Sequence, residues 1–201
     1  MSKKPVIIFD LGAVLIDWNP RHLYRRLFDD DAAMESFLSE ICTPAWNAEQ
    51  DRGRSWQDAV DLLTAAHPEH RDMIQAYKDG WAEMLAGPIH GAVEILERLD
   101  QEGFELHALT NWSAETFPVA RERYDFLNRF QTILVSGEER LIKPDPAIFK
   151  LMLERINHQA EDCLFIDDSE KNIAAAAKLG FDGIHFKSAE QLGSELEQRG
   201  L

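Results

Sequence analysis

The chain of 201 residues contains little cysteine and no long apolar run. Its two cysteines, Cys42 and Cys163, are far apart, which excludes a disulfide-rich secreted scaffold and indicates two reduced thiols. The longest apolar runs hold about ten residues, half of what a membrane-spanning helix needs. No apolar segment with a cleavage site follows the N-terminal lysines, so we expect no export. These absences predict a cytoplasmic protein without a membrane partner.

Positive charge is also scarce. The chain has 21 Lys and Arg residues against 36 Asp and Glu residues, a net charge of −15. This charge disfavours nucleic acid and anionic membranes as partners, and a phosphate-bearing substrate would need a local positive centre. The hydrophobic fraction of 45% is typical of a globular protein, and the length allows one α/β domain with an insertion.

The N-terminal apolar run, residues 6–15, is interrupted by Asp10, and Gly12 follows two residues later. Its β-branched and aromatic residues predict a buried strand, and the glycine allows the chain to turn where the strand ends. Asp10 would then lie at the carboxyl end of a central strand, where open α/β sheets bind their ligands. The alternative is an aspartate that only stabilises a turn.

Polar residues also follow the later predicted strands. Thr110 and Asn111 follow the strand at 104–109, Lys143 follows the strand at 132–136 and a polar loop, and Asp167 and Asp168 follow the strand at 163–166. Each has an ordinary alternative: Asp168 can cap the next helix, Lys143 can be a loop lysine, and Thr110 can satisfy a turn. Their shared position at strand ends, in this order, indicates a catalytic site.

The second half of the chain alternates strand and helix signals, which predicts parallel βαβ units. Helices are predicted at 91–103, 144–157, 169–180 and 189–198, with a last short strand at 183–186. The segment 18–87 has no β-branched run, and we interpret it as helices at 20–28, 31–41, 55–66 and 68–85. Its tryptophans, Trp46, Trp56 and Trp81, are predicted to pack in the interior of this segment.

These four groups of residues (Asp10, Thr110 with Asn111, Lys143, and Asp167 with Asp168) resemble the four sequence motifs of the haloacid dehalogenase-like hydrolase superfamily. The resemblance covers essentially the whole chain. Residues 9–18 are similar to the first motif of a subgroup that includes sugar 1-phosphate phosphatases. The resemblance implies a doubly wound parallel α/β sheet, a Rossmann-like core formed by residues 1–17 and 88–201. It also implies a helical cap inserted at 18–87. The implied activity is metal-dependent hydrolysis of a small phosphomonoester through an aspartyl-phosphate on Asp10.

The resemblance also implies a Mg²⁺ site. Asp10, the backbone carbonyl of Gly12 and Asp168 would be direct ligands, and Asp167 would hold a bound water, although the sequence does not fix which of the two neighbouring acids is direct. Clustered carboxylates raise each other's pKa, so a cation is expected among them.

Phosphate binding is implied for a second group of residues. Lys143 would balance the charge of Asp10 and of the phosphoryl oxygens. Thr110 and the backbone N–H of Asn111 would hold a further phosphoryl oxygen. Asn172, on the helix after the last motif, would orient Lys143 or Asp167.

Gly12 departs from the common family pattern, in which a second aspartate at this position protonates the leaving group. The enzyme would therefore hydrolyse its substrate slowly, favour substrates with better leaving groups, or use another residue as the acid. Asp17 and His22 are candidates for that residue.

Two other functions stay open. A 2-haloacid dehalogenase would use Asp10 against carbon without a metal, with a halide-binding arginine among Arg21, Arg25, Arg26 and Arg52. The pair Asp167 and Asp168 favours the metal-dependent phosphatase. The second alternative is a non-catalytic protein that binds a phosphate ligand. The sequence does not indicate the oligomeric state.

Overall fold

The computed structural model describes residues 4–201. Within this range the strands are β1 (Val6–Phe9), β2 (Ile16–Trp18), β3 (Leu85–Pro88), β4 (Leu106–Thr110), β5 (Thr132–Val135), β6 (Cys163–Asp167) and β7 (Asp182–His185). Five of them form a fully parallel sheet in the order β5-β4-β1-β6-β7. The chain extends the sheet from β1 through β4 to β5, and then returns to add β6 and β7 on the other side. This is the doubly wound α/β architecture that the sequence predicts.

Helices cover both faces of the sheet. They are α1 (Arg21–Tyr24), α2 (Asp31–Glu40), α3 (Pro44–Asp51), α4 (Trp56–Ala66), α5 (Arg71–Asp79), α6 (His90–Gln101), α7 (Phe117–Arg123), α8 (Ser136–Glu139), α9 (Pro146–Ile156), α10 (Glu170–Ala177) and α11 (Ala189–Gln198). Successive side chains of β1 point to opposite faces. Ile7 and Phe9 join the core that contains α6 and α11, whereas Val6 and Ile8 join the core that contains α9 and α10.

The five helices α1 to α5 lie between β2 and β3, in the stretch that we name the inserted segment, residues 18–87. The antiparallel pair of β2 and β3 aligns Ile16 with Pro88 and Asp17 with Gly87. The inserted segment therefore begins and ends at adjacent points, in a two-stranded sheet separate from the main one. Trp56 and Trp81 are buried in the core cluster, and Trp46 packs against it, as predicted for these tryptophans.

Two predictions for the inserted segment are wrong. Helix α3 was not predicted, although Thr43 caps it by accepting a hydrogen bond from the Trp46 N–H at 3.1 Å and Pro44 occupies its first turn. The single helix predicted at 68–85 is broken: α5 ends at Gly80, and Leu85 pairs with Trp18 as part of β3. A Cβ on Gly80 would lie 2.9 Å from the Leu23 methyl groups, so the Leu23 side chain would have to shift to accept it.

Helix α7 was not predicted, whereas the other strands and the longer helices of the α/β part lie close to their predicted positions, with α11 matching at both ends. The predicted polar loop after β5 contains the short helix α8. Both cysteines are buried, and the Cys163 thiol donates to the Gln159 carbonyl at 3.3 Å. In the described range, every helix is too short or too polar to cross a bilayer.

Candidate active site

Sheet register brings two of the predicted site residues together. Phe9 lies opposite Ile166 in the parallel pairing of β1 with β6, so Asp10 and Asp167 follow as neighbours at the carboxyl edge of the sheet. This edge is where the strand order reverses, which is the usual ligand position in open α/β sheets. Asp10 is 8% exposed and Asp167 is fully buried. Buried carboxylates at this position require compensating donors or cations.

Lys143 provides the first compensation. Its Nζ lies 2.9 Å from Asp10 Oδ1 and 2.7 Å from Asp167 Oδ2, and it donates to the Leu109 carbonyl at 2.8 Å. All three hydrogen-bond donors of the ammonium group are therefore used. Asn111 fixes the backbone of Lys143 from the neighbouring loop: its Nδ2 donates to the Lys143 carbonyl at 3.0 Å, and its Oδ1 accepts the Lys143 N–H at 2.8 Å.

Asp167 is held from two sides. In addition to Lys143, Asn172 Nδ2 donates to Asp167 Oδ1 at 2.9 Å and to Oδ2 at 3.1 Å. The Ser169 N–H donates to Oδ1 at 2.8 Å. Of the two residues that the sequence offers as partners of Asn172, the structure thus places Asp167 in contact. The network connects Lys143 to the start of α10 and fixes the orientation of both charged groups.

Thr110 ends β4 beside this network. It is 1% exposed, and its hydroxyl has no hydrogen-bond partner within residues 4–201. A buried hydroxyl without a partner loses hydrogen-bond energy that an oxygen-rich ligand restores. The side chain of the adjacent Asn111 is already occupied by Lys143.

The acidic residues form a group that fits a divalent cation. Asp10, Asp167 and Asp168 each offer a carboxylate oxygen, and these atoms lie within 4.8 Å of one another. The ammonium of Lys143 balances one of the three negative charges. Carboxylate and carbonyl oxygens are the ligands that Mg²⁺ prefers, and Gly12 lines the same groove as Asp10 and Asp168. The donor set is therefore suited to Mg²⁺.

The pKa values reflect the excess of negative charge. Burial raises the pKa of Asp10 to about 7, with Lys143 opposing the shift and Asp167 and Asp168 adding to it. Burial and the charge of Asp167 also raise the pKa of Asp168. Burial opposes the charge on Lys143, but Asp10 and Asp167 outweigh it, and the pKa of Lys143 is raised. Lys143 is therefore a permanent cation, whereas Asp10 needs further positive charge to be fully ionised at neutral pH.

Two adjoining spaces open at this edge. The groove, of ≈ 420 Å³, is lined by Asp10, Gly12 and Asp168 and by residues of the inserted segment. A smaller space, which we call the recess, has a volume of ≈ 50 Å³. Both are lined by Gly12, Trp18 and Asn111, and the recess adds Asn47, Asp51 and Trp112. The recess is thus an extension of the groove on the side of Gly12.

Asn47 and Asp51 are site-lining residues that the sequence analysis missed. They lie one turn apart on α3, and Asn47 Nδ2 donates to Asp51 Oδ2 at 3.1 Å. Residues four apart share a helix face, so the helix-start signal at Thr43 and Pro44 would have placed both on one side. Within residues 4–201 Asp17 and His22 pair with each other at 3.0 Å, and neither lines the groove or the recess.

Two phosphatases are similar in sequence to this protein over most of its length. It is 25% identical to a sesquiterpene phosphatase of Aspergillus oryzae over 193 residues, covering 95% of this chain and 94% of the relative. It is 24% identical to a phosphorylated carbohydrates phosphatase of Thermotoga maritima over 184 residues, covering 89% and 83% of the two chains. Similarity that extends over nearly the whole length of both proteins includes the sheet and the inserted segment.

The fold and a family model give the assignment. A magnesium complex of a HAD family enzyme from Bacteroides thetaiotaomicron superposes with a TM-score of 0.74 at 21% identity, covering 97% of this chain and 99% of that chain. The model of the haloacid dehalogenase-like hydrolases matches residues 7–186, from β1 to the residue after β7. This protein belongs to the haloacid dehalogenase-like hydrolases.

Proposed function

We propose that this protein is a Mg²⁺-dependent phosphatase that hydrolyses a small phosphomonoester through an aspartyl-phosphate on Asp10. The observation that carries the proposal is the Lys143 ammonium, buried between Asp10 and Asp167 beside the unpartnered Thr110 hydroxyl. Phosphoryl transfer is catalysed mainly by positioning and by neutralising charge on the phosphoryl oxygens. The site has a carboxylate nucleophile, a fixed cation and a hydroxyl donor at one sheet edge.

The residues divide the work as follows. A carboxylate oxygen of Asp10 attacks phosphorus, Lys143 balances the charge of Asp10 and of the phosphoryl oxygens, and the Thr110 hydroxyl and the Asn111 N–H hold a phosphoryl oxygen. A Mg²⁺ ion held by the acidic group would supply positive charge next to the phosphoryl group and to Asp10. Asp10, the Gly12 carbonyl and Asp168 would be its direct ligands. Asp167 would act through a water, which agrees with its oxygens already accepting hydrogen bonds from Lys143, Asn172 and Ser169.

The inserted segment would serve as the cap that selects the substrate, with residues 1–17 and 88–201 as the catalytic core. Its residues Trp18 and Arg21 line the groove opposite Asp10. Closure of such a segment excludes water from a reacting phosphoryl group and admits only substrates that fit.

Dehalogenation is the second candidate, because Arg21, an arginine suited to hold a halide, lines the groove. However, the Arg21 guanidinium donates both Nε and Nη2 to the carboxylate of Glu35. A metal-free reaction would also leave the negative charge of the three clustered acids only partly compensated. Both observations favour phosphate release over halide release.

The test measures phosphate and halide release from a panel of small phosphomonoesters and 2-haloacids, with Mg²⁺ or with EDTA. We expect phosphate release that requires Mg²⁺ and falls to background in Asp10→Asn, because the variant lacks the attacking carboxylate. The exposed variant Asp29→Asn, in the inserted segment, is the matched control and should retain wild-type rates. Halide release that persists in EDTA would replace the phosphatase with the dehalogenase. Mg²⁺-dependent binding of phosphate without turnover of any substrate would indicate a binding protein.

A further inference from the structure

The inference concerns the proton that the proposed reaction requires, and it rests on the proposed function. When Asp10 displaces an alcohol from phosphorus, the departing oxygen is a strong base and leaves slowly unless an acid protonates it. Lys143 cannot be this acid, since its three donors are bound to Asp10, Asp167 and the Leu109 carbonyl. Position 12 has no side chain, and a Cβ built there would meet no atom of residues 4–201 within 4 Å. The space beside the nucleophile is therefore open toward the recess.

Asp51 faces this open space from the inserted segment. It lines the recess together with Gly12, Trp18 and Asn111, three residues that also line the groove around Asp10. A leaving group that extends from the phosphoryl position into the recess would thus lie next to Asp51. Asn47 holds Asp51 Oδ2 through its Nδ2, which orients the carboxyl group.

The main chain of Asp51 is tied to the catalytic core. The Ser136 hydroxyl at the start of α8 donates to the Asp51 carbonyl at 2.6 Å, and the same oxygen accepts the Trp112 N–H at 2.9 Å. Trp112 directly follows Asn111, the residue that holds Lys143. One serine therefore connects the end of α3 to the loop that positions the cation. Asp51 has a defined place relative to Asp10 even though it belongs to the inserted segment.

The surroundings of Asp51 favour a carboxyl group that exchanges its proton near neutral pH. Within residues 4–201 no Lys, Arg or His forms an ion pair with it. Burial raises the pKa of Asp51 to about 7, and a backbone hydrogen bond from Ser113 opposes the shift only in part. An acid–base group works best when its pKa lies close to the working pH.

We propose that Asp51 is the acid–base residue of the reaction. The recess receives the oxygen-bearing end of an alkyl leaving group. In the first step, Asp10 forms a bond to phosphorus and the bond from phosphorus to the ester oxygen breaks. The ester oxygen keeps the electron pair and takes the proton of Asp51, which releases a neutral alcohol. In the second step, a water oxygen forms a bond to phosphorus and the bond from phosphorus to the Asp10 oxygen breaks. The water gives a proton to the Asp51 carboxylate, so that Asp10 returns to a carboxylate, Asp51 to its protonated form, and phosphate is released.

The recess also indicates the substrate class. Its volume of ≈ 50 Å³ is far smaller than the ≈ 420 Å³ of the groove, so the recess would take only one end of a leaving group. Among its lining residues, Trp18, Asn47 and Trp112 carry buried polar atoms without a partner in the described part of the chain. A short, hydroxyl-bearing aliphatic group, as in polyol or sugar phosphates, matches this lining better than a purely apolar chain.

The test compares kcat/KM of the wild type and of Asp51→Asn over phosphomonoesters whose alcohols range from p-nitrophenol to glycerol, with Mg²⁺ present. We expect Asp51→Asn to lose about 10²- to 10³-fold on glycerol phosphate and progressively less as the alcohol becomes more acidic. The ratio between substrates does not depend on the fraction of folded enzyme, so partial misfolding cannot produce this pattern. Asp29→Asn is again the matched control.

A second variant tests whether a carboxyl group at position 12 can replace Asp51 as the acid. Gly12→Asp in the Asp51→Asn background places a carboxyl at the open position, and we expect it to restore part of the rate on glycerol phosphate. An equal loss on all substrates, or none, would overturn the role of Asp51 while leaving the phosphatase intact. A wild type that releases no phosphate even from p-nitrophenyl phosphate would overturn the proposed function and this inference with it.

Discussion

Single residues at the candidate site form a set of buried charges that compensate each other. Lys143 and Asp167 are 2% and 0% exposed, and neither would be stable in this position alone. Removing one partner of a buried ion pair costs about 3–5 kcal/mol, because the remaining charge is left without compensation. Here one ammonium serves two carboxylates, so its loss leaves Asp10 and Asp167 facing each other. The stability of the fold and the geometry of the site therefore depend on the same lysine.

We expect Lys143→Met to lower the free energy of unfolding by about 3–5 kcal/mol in EDTA at pH 8, measured by urea denaturation. At pH 5 the loss should be smaller. Burial already raises the pKa of Asp10 above its unfolded value, and the loss of Lys143 removes the charge that opposes this shift. Asp10 therefore binds a proton on folding, and the variant loses stability as pH rises through the folded-state pKa of Asp10. Lys150→Met, at an exposed position on α9, is the control and should change stability little.

A double variant separates charge from packing. Lys143→Met combined with Asp167→Asn removes one of the two uncompensated carboxylates, and we expect it to be more stable than Lys143→Met alone. If the double variant is less stable by the sum of the two single losses, the lysine stabilises the fold through its methylene chain and not through its charge.

At the scale of secondary structure, the strands of the parallel sheet and the longer helices could be predicted from the sequence, whereas β2, β3, α3, α7 and α8 could not. Buried runs such as residues 163–166 have one plausible structure, and their register then places Asp10 beside Asp167. Helices α3 and α8 have eight and four residues, too few for a periodic apolar face to be recognised. Their positions follow from tertiary contacts, for example Ser136 with the Asp51 carbonyl. For this reason Asp10, Lys143 and Asp167 were found and Asp51 was not.

Two glycines in helices differ in how closely other parts of the chain approach them. Gly137 in α8 approaches the loop after β4: its N–H donates to the Trp112 carbonyl at 3.0 Å, and a Cβ there would lie 2.5 Å from the Ala114 nitrogen. Gly193 in α11 has only Ile95 Cδ1 nearby, at 3.9 Å from an added Cβ. The first glycine permits a close backbone approach, whereas the second only lowers helix propensity.

We expect opposite results from the matched variants Gly193→Ala and Gly137→Ala. Gly193→Ala should raise the free energy of unfolding by about 0.5–1 kcal/mol without changing phosphate release, since alanine favours the helix and finds space. Gly137→Ala should destabilise the protein and lower phosphate release, because the loop that carries Asn111 and Trp112 must shift. Thermal unfolding and the phosphate assay measure both effects. Full activity in Gly137→Ala would show that the loop position is not critical.

The whole molecule combines a net charge of −15 with a site that we assign to an anionic substrate. The long-range field repels such a substrate, and only local charge can reverse the repulsion. Lys143 is largely neutralised by Asp10 and Asp167, so its charge does not suffice. A divalent cation at the group of three acids would provide the missing positive charge and would also stabilise the folded chain, since the unfolded chain does not hold these carboxylates together.

This gives a prediction that does not depend on turnover. At a Mg²⁺ concentration about 100 times its Kd, linkage adds about 2.7 kcal/mol to the free energy of unfolding, which raises the Tm by roughly 5–10 °C. We expect Asp168→Asn to lose most of this rise, because its exposed carboxylate is the acid most available to the cation. NaCl at the same ionic strength controls for general screening of the acidic surface, and Asp29→Asn should respond to Mg²⁺ like the wild type. If Asp168→Asn shows the full Mg²⁺ effect, the cation acts on the net charge of the molecule, and the proposed metal site is wrong.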